Sequence, residues 1–336
     1  MMRMAACHWF DRVVSFVSPF KIFFCHRKPI AMPLAEAGPQ GVVPIIPTLF
    51  NADEEMDLAA TAACVRFAVE SQLSAVCLPA YGSEFYKLTD SERTALVGAA
   101  VEAAEGRTLV IAQSNHPAAR HAADLAKANE GRGADLISFA LPRMFALPEA
   151  DLLAYSQTIC RAVKIPVLIQ DFNPSGQTIG ADFCRRLSED CDNFSFVKLE
   201  EPLMAPKVRA IREATEDRVG VLEGWGGMYL LELIGPGICG LMPGLALGDL
   251  LQKVWQLARA DNGSEAADLF EKLLPQIVYS LQNMELFLWM EKDLLVRRGV
   301  ISRGQAHVRT ATCTPDEDAW QHAIWLNQRI ADLAGE

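Results

Sequence analysis

The sequence predicts a (β/α)8 TIM barrel with a C-terminal helical extension, and three observations carry that reading. Between Gly41 and Leu241, eight short apolar and β-branched runs recur, with longer amphipathic stretches between them. Most of the runs are apolar throughout instead of alternating, as strands buried on both faces of a parallel sheet are. No GxGxxG or Walker-type loop follows the first run, which counts against an open, doubly wound sheet built to hold nucleotide phosphates. A chain of 336 residues with 51% hydrophobic content is long enough for one large domain of this kind.

The predicted strands are 41–47 (GVVPIIP), 75–78, 108–112, 136–139, 166–170, 194–198, 219–223 and 237–241. The helices between them carry start and stop signals. Residues 57–70 place Leu58, Ala62, Val65 and Val69 on one side. Residues 89–105 open with Thr89 and an acidic first turn. Residues 116–132 stop between two glycines, and 148–163 begin with Pro148. Residues 181–190, 202–215 and 228–234 continue the alternation. After Gly248 the pattern is helical only: 249–259, 264–281, 284–298 and 315–333, with Pro275 expected to kink or split the second. The domain reading is a barrel over 41–259 and an extension over 260–336 packed on it, since no Pro/Gly/Ser linker separates them. In the helix 284–298, Asp293 and Arg297 stand four apart and can pair. Its charges read as a solvated or subunit-facing surface, and Met284, Phe287, Leu288, Leu294 and Leu295 as a side packed on the barrel or on another subunit.

The formal net charge of -11 makes the chain a poor ligand for nucleic acid. The nine cysteines are odd in number, have no CxxC spacing and sit mostly among apolar neighbours. They read as buried free thiols of a cytoplasmic protein. The six histidines are scattered, so no metal site is expected. Residues 1–31 carry Arg3, Arg12, Lys21, Arg27 and Lys28 against only Asp11, with apolar runs too short to span a bilayer. They read as lying outside the domain, either a targeting peptide or the result of an upstream start, with Met32 the true beginning.

One lysine stands out. Lys198 falls near the C-terminal end of the sixth predicted strand, the end where barrels of this type carry their active sites. Burying an amine disfavours its charged form and favours the neutral nucleophile that attacks a carbonyl. On position alone, Lys198 as a nucleophile and Lys198 paired with Glu223 or Glu200 are equally open readings.

Several motifs together resemble the dihydrodipicolinate synthase and N-acetylneuraminate lyase family of class I aldolases. They are the opening GVVPIIPTLFNADEEMD, the run Glu84–Arg93 after the second strand, Phe196-Val197-Lys198-Leu199-Glu200, Gly224-Trp225-Gly226-Gly227, Gly237-Ile238-Cys239-Gly240 and His307-Val308-Arg309. The resemblance runs from Gly41 to about Asp316. It implies a barrel, no metal, no cofactor beyond a covalent imine on Lys198, and a homo-oligomer, dimer or tetramer. Three departures mark a divergent member. Ala80-Tyr81-Gly82-Ser83-Glu84 supplies its hydroxyls in a different order from the family's pair of small hydroxyl residues. Met144 stands where a proton-shuttling tyrosine is expected, and methionine moves no proton. Gln177 lies where the synthases carry an arginine.

The resulting expectation is a Schiff-base lyase, aldolase or dehydratase, on a 2-oxo acid. A sugar-acid derivative is favoured, because the mouth reads as polar and the synthase-type arginine is missing. Lys198 is the nucleophile and Tyr81 the substitute phenol. Gly82, Ser83, Arg143, Gln170, Asp171, Trp225 and Gly226 are the substrate-binding candidates, with Trp225 as a wall and Gly226 allowing close backbone approach. Tyr81 as a packed loop aromatic, Arg143 in an outward salt bridge and Asp171 as a turn cap are the structural alternatives. Two other functions stay open: hydratase–aldolase chemistry on an aromatic 2-oxo acid, which a polar rim would disfavour, and a non-catalytic paralogue that binds a 2-oxo acid. Neither a membrane nor a nucleic acid is an expected partner.

Overall fold

The computed structural model describes residues 38–173, 176–310 and 314–335. The N-terminal segment 1–31 and its reading lie outside the described residues. The strands are β1 Gly41–Val42, β2 Ala75–Leu78, β3 Leu109–Gln113, β4 Leu136–Ala140, β5 Val167–Asp171, β6 Phe194–Leu199, β7 Gly220–Glu223 and β8 Gly240–Leu241. All pair in parallel in the order β1-β8-β7-β6-β5-β4-β3-β2. Ile45, just beyond β1, bridges both Cys77 and Gly244, so the sheet comes round on itself. The helices α1 Leu58–Glu70, α2 Asp90–Ala104, α3 Ala119–Glu130, α4 Glu149–Cys160, α5 Ala181–Asp190, α6 Ala205–Ala214 and α7 Leu230–Ile234 follow the first seven strands. Helix α8, Gly248–Arg259, follows β8, and α9 Gly263–Ser280, α10 Met284–Arg297 and α11 Glu317–Gly335 come after it.

Each predicted strand and helix has its counterpart, shifted by a few residues at the ends. Thr89 and Glu92 form a reciprocal cap at the start of α2. Pro275 lies inside α9 without splitting it. Six cysteines fall among the described residues and all are free thiols, five of them buried. No helix there is long and apolar enough to cross a membrane.

Two apolar layers hold the barrel. The larger lies between sheet and helices and includes Val42, Phe139, Val197 and Leu251. The smaller fills the barrel interior with Ile111, Leu168, Phe196, Leu222 and Met242. Strand side chains alternate with period two, so the residue two beyond Ile111, Leu168 and Phe196 faces the same axis one layer nearer the mouth. Those residues are Gln113, Gln170 and Lys198. The interior therefore turns from apolar to polar at the C-terminal ends of the strands.

The charges of α10 are a correction. Glu285, Glu291, Lys292 and Asp293 are buried, not solvated. Each has a partner that no local pattern shows. Lys292 pairs with Glu84 and donates to the His307 carbonyl at 2.7 Å. Lys87 joins Glu84 to Glu285, at 3.1 and 2.8 Å. Asp293 does pair with Arg297, as the spacing predicts, and also holds Arg303 and Asn327. Arg309 binds Glu92 and the carbonyls of Glu54 and Lys87, tying the C-terminal segment to the loops after β1 and β2.

Glu291 accepts the Ala246 amide at 2.7 Å, and burial pushes its carboxyl up to about 7. The unfolded chain loses that proton near 4.5 and the folded chain near 7. Its contribution to stability is therefore complete below pH 4.5 and falls as the pH rises to 7, by on the order of 3 kcal/mol. Glu291→Gln is expected to shrink the stability difference between pH 5 and pH 7.5, read from urea midpoints. An unchanged difference would refute this account of Glu291.

Candidate active site

The polar layer at the mouth is a chain of hydrogen bonds across neighbouring strands. Gln113 Nε2 donates to Gln170 Oε1 at 2.6 Å, and Gln170 Nε2 donates to Glu200 Oε1 at 2.5 Å. The same carboxylate oxygen lies 2.9 Å from Lys198 Nζ. Lys198 and Glu200 are two apart at the end of β6, so the strand period puts them on one side. Lys198 is 5% exposed: almost enclosed, yet it lines a cavity of about 360 Å³.

Gly224 is required beside this pair. A β-carbon there would stand 2.3 Å from Glu200 Cγ and 2.8 Å from Lys198 Cε. Gly226 and Gly227 have φ of 63° and 86°, the left-handed region where glycine carries no steric penalty. Their turn wraps Glu223, which accepts the amides of Trp225 at 3.0 Å and Gly227 at 2.8 Å. Glu223 is fully buried, and burial raises its carboxyl to about 7 despite the amides of Gly227 and Tyr229 and the charge of Lys198. Its proton is thus exchangeable near neutral pH.

Tyr81, Gly82, Gln170, Trp225 and Gly226 line the same cavity as Lys198. The Tyr81 phenol is raised by burial and by the charge of Glu200, which keeps it a proton donor at neutral pH. Its ring also packs edge-on against Phe85 at 5.0 Å. Ser83, Arg143 and Asp171 are not among the lining residues. Ser83 Oγ is occupied, donating to the Ile46 carbonyl and accepting the Ala80 amide. Arg143 forms a two-pronged pair with Asp171, at 2.8 and 2.6 Å, and Asp171 also accepts the Ile179 amide. These two residues grip each other and brace the loops after β4 and β5. Met144 is exposed and outside the cavity.

Sequence reasoning treated Glu200 and Glu223 only as possible ion partners of Lys198. Their involvement was signalled by the strand period for Glu200 and by the glycine-rich turn for Glu223. It missed the C-terminal helices altogether: Val278, Leu281, Met284 and Phe287 form part of the cavity wall. The cavity wall accordingly combines Tyr81, Gln170, Lys198, Glu200, Gln282 and Asn283 with these apolar side chains, and is more apolar than the sequence leads one to expect. Among the described residues, no group of three or more His, Cys, Asp and Glu side chains could hold a metal ion.

The lysine, its carboxylate neighbour and the enclosed mouth suit imine chemistry, and comparison with known proteins agrees with the architecture. The dihydrodipicolinate synthetase family model matches residues 38–314. L-2-keto-3-deoxyarabonate dehydratase of Azospirillum brasilense is 27% identical over 289 residues, covering 85% of this chain and 93% of that protein. The crystal structure of dihydrodipicolinate synthase from Rhodopseudomonas palustris superposes with a TM-score of 0.80 at 22% identity, covering 89% of this chain and all of that one. YagE from E. coli K12, solved in complex with pyruvate, gives 0.76 at 21% identity, covering 87% and 99%. With the family model spanning the whole barrel and the first C-terminal helices beyond it, the chain belongs to the dihydrodipicolinate synthetase family.

Proposed function

We propose that the protein is a Schiff-base lyase whose Lys198 condenses with the C2 carbonyl of a 2-oxo acid. The observation that carries this is the placement of Lys198: nearly enclosed, at the mouth of the barrel, with Glu200 Oε1 2.9 Å from its amine. Transfer of a proton from Lys198 to Glu200 frees the amine. Attack on C2 gives a carbinolamine, and loss of water gives the protonated imine. The imine nitrogen then withdraws electrons while a base removes a proton from C3, leaving an enamine. If C4 bears a hydroxyl, two outcomes follow. Protonation of that hydroxyl and loss of water dehydrates the substrate. From the protonated imine itself, before any proton leaves C3, removal of the hydroxyl proton instead breaks the C3–C4 bond: C4 departs as an aldehyde, and the electron pair passes through C3 into the imine to leave the enamine, which is protonated at C3 and hydrolysed. Glu200 is placed to move these protons, with Tyr81 as the donor in place of the missing tyrosine. Gln170 holds Glu200 in position.

The substrate head this chemistry needs is a 4-hydroxy-2-oxo acid. Several curated relatives support a 3-deoxy sugar acid or a derivative of one; the first is named a dehydratase for L-2-keto-3-deoxyarabonate. No cofactor takes part beyond the covalent imine. The family resemblance supports a homo-oligomer.

Exchange of the C3 protons of pyruvate in deuterated water tests the electron-sink step. Exchange is expected with the native protein and not with Lys198→Ala, read by proton NMR. Equal exchange in the two would exclude the imine route.

A further inference from the structure

We infer that Gln113, at the C-terminal end of β3, is a positioning residue of the imine chemistry: it holds the Gln170 side chain with its NH2 end, and not its carbonyl, toward Glu200. This rests on the reading of Lys198 and Glu200 given above and extends it to a residue outside the cavity. Gln113 Nε2 donates to Gln170 Oε1 at 2.6 Å, which leaves Gln170 Nε2 to donate to Glu200 Oε1 at 2.5 Å. Gln113 is 2% exposed and is not among the residues lining the cavity, so it acts on the site through Gln170. The two glutamines belong to β3 and β5, with β4 between them. The inward positions of β4 are Ser138 and Ala140, in register with Gln113 and Gln170. Both are small, so the amides meet over that strand, and a long side chain at either position would stand between them.

The contact matters because an amide side chain has two ends of nearly one shape, one donating and one accepting. An ionised carboxylate only accepts. Gln170 turned end for end would set its carbonyl against Glu200, where only the protonated acid can bond to it. A protonated Glu200 cannot take the proton of Lys198, 2.9 Å away, and the amine would stay charged and unable to attack. With Gln113 donating, the same turn also sets one NH2 group against the other. Gln170 is itself 2% exposed, and a buried polar group left without a partner costs free energy. Reversal therefore requires both amides to rotate together, and Gln113 fixes the direction in which the chain of hydrogen bonds runs.

Two variants of the full chain test this, with pyruvate as the probe and exchange of its C3 protons in deuterated water as the readout. Gln113→Leu should slow exchange about tenfold, the worth of one hydrogen bond, while the pyruvate concentration that half-saturates exchange keeps its native value. Gln113→Glu is the sharper test. Its new carboxyl donates to Gln170 when protonated, as the native amide does, and cannot when ionised. Exchange should be native-like at low pH and fall toward the Gln113→Leu rate as the pH rises, with the protein still folded by circular dichroism. Lys198, Glu200, Glu223, Tyr81 and the Cys77 thiol lie around the two amides. They are the same in both variants, so a limb confined to Gln113→Glu belongs to position 113. Exchange within twofold of native in Gln113→Leu, or pH profiles of one shape in the two variants, would overturn the inference. If the native protein shows no exchange, the Lys198 reading fails, and the side-chain amide protons of Gln170 decide instead. Their exchange with solvent, read by NMR with isotope-labelled glutamine, should quicken in Gln113→Leu, and an unchanged rate would overturn the role given to Gln113.

Discussion

Replacing Glu200 by glutamine is expected to lower kcat by about a hundredfold to ten-thousandfold, the range lost with a positioned general acid–base group. The variant keeps the shape of the side chain and a hydrogen-bond acceptor for Gln170. It removes the charge beside Lys198 Nζ and the ability to carry a proton. Imine formation at saturating 2-oxo acid should slow, because the carboxylate that takes the lysine proton is gone, but still reach completion, because the nucleophilic nitrogen is untouched. The expected signature is thus a protein that is still trapped by borohydride but turns over slowly. If kcat stays within threefold of native, Glu200 only positions its neighbours, and Tyr81 or Glu223 carries the proton.

The second large effect concerns stability. Lys292→Met is expected to cost about 3–5 kcal/mol, the usual penalty for leaving one member of a buried ion pair without its partner. Lys292 is fully buried, pairs with Glu84, donates to the His307 carbonyl and lies over the Phe50 ring at 4.8 Å. Burial lowers its ammonium, opposed by the charge of Glu84. Glu84 directly follows the Tyr81–Ser83 turn and holds a φ of 58°, so the loss should also loosen the turn that carries Tyr81. The double variant Lys292→Met with Glu84→Gln should recover part of the stability, because it removes the stranded charge. Chemical denaturation of the three proteins checks both statements. A single variant as stable as native would mean that Lys87 alone satisfies Glu84.

These two predictions mark where the sequence was informative and where it was not. The barrel was legible because strands buried on both faces read as unbroken apolar runs, and because residues such as Thr89 and Gly131 mark helix ends. Lys198 was legible for a related reason: a charged residue in such a run must face the axis or the mouth. Lys292 was not, since its partner Glu84 lies 208 positions away, and a charge on an amphipathic helix reads as solvated until its partner is seen. Arg143 and Asp171 were each read as facing substrate, with a salt bridge for the one and a turn cap for the other as open alternatives; that they serve both alternatives together was not legible, because they are 28 positions apart and meet each other. The cavity wall from α9 and α10 was illegible for the same reason. Their apolar residues have helical spacing whether they pack on a core or flank a ligand.

Borohydride reduction in the presence of pyruvate, followed by intact mass and peptide mapping, tests the central assignment most directly. The account predicts a gain equal to pyruvic acid less one oxygen, located on Lys198 and lost in Lys198→Ala. A folded protein that gains no mass with pyruvate or any other 2-oxo acid, or gains it on a different lysine, would contradict it.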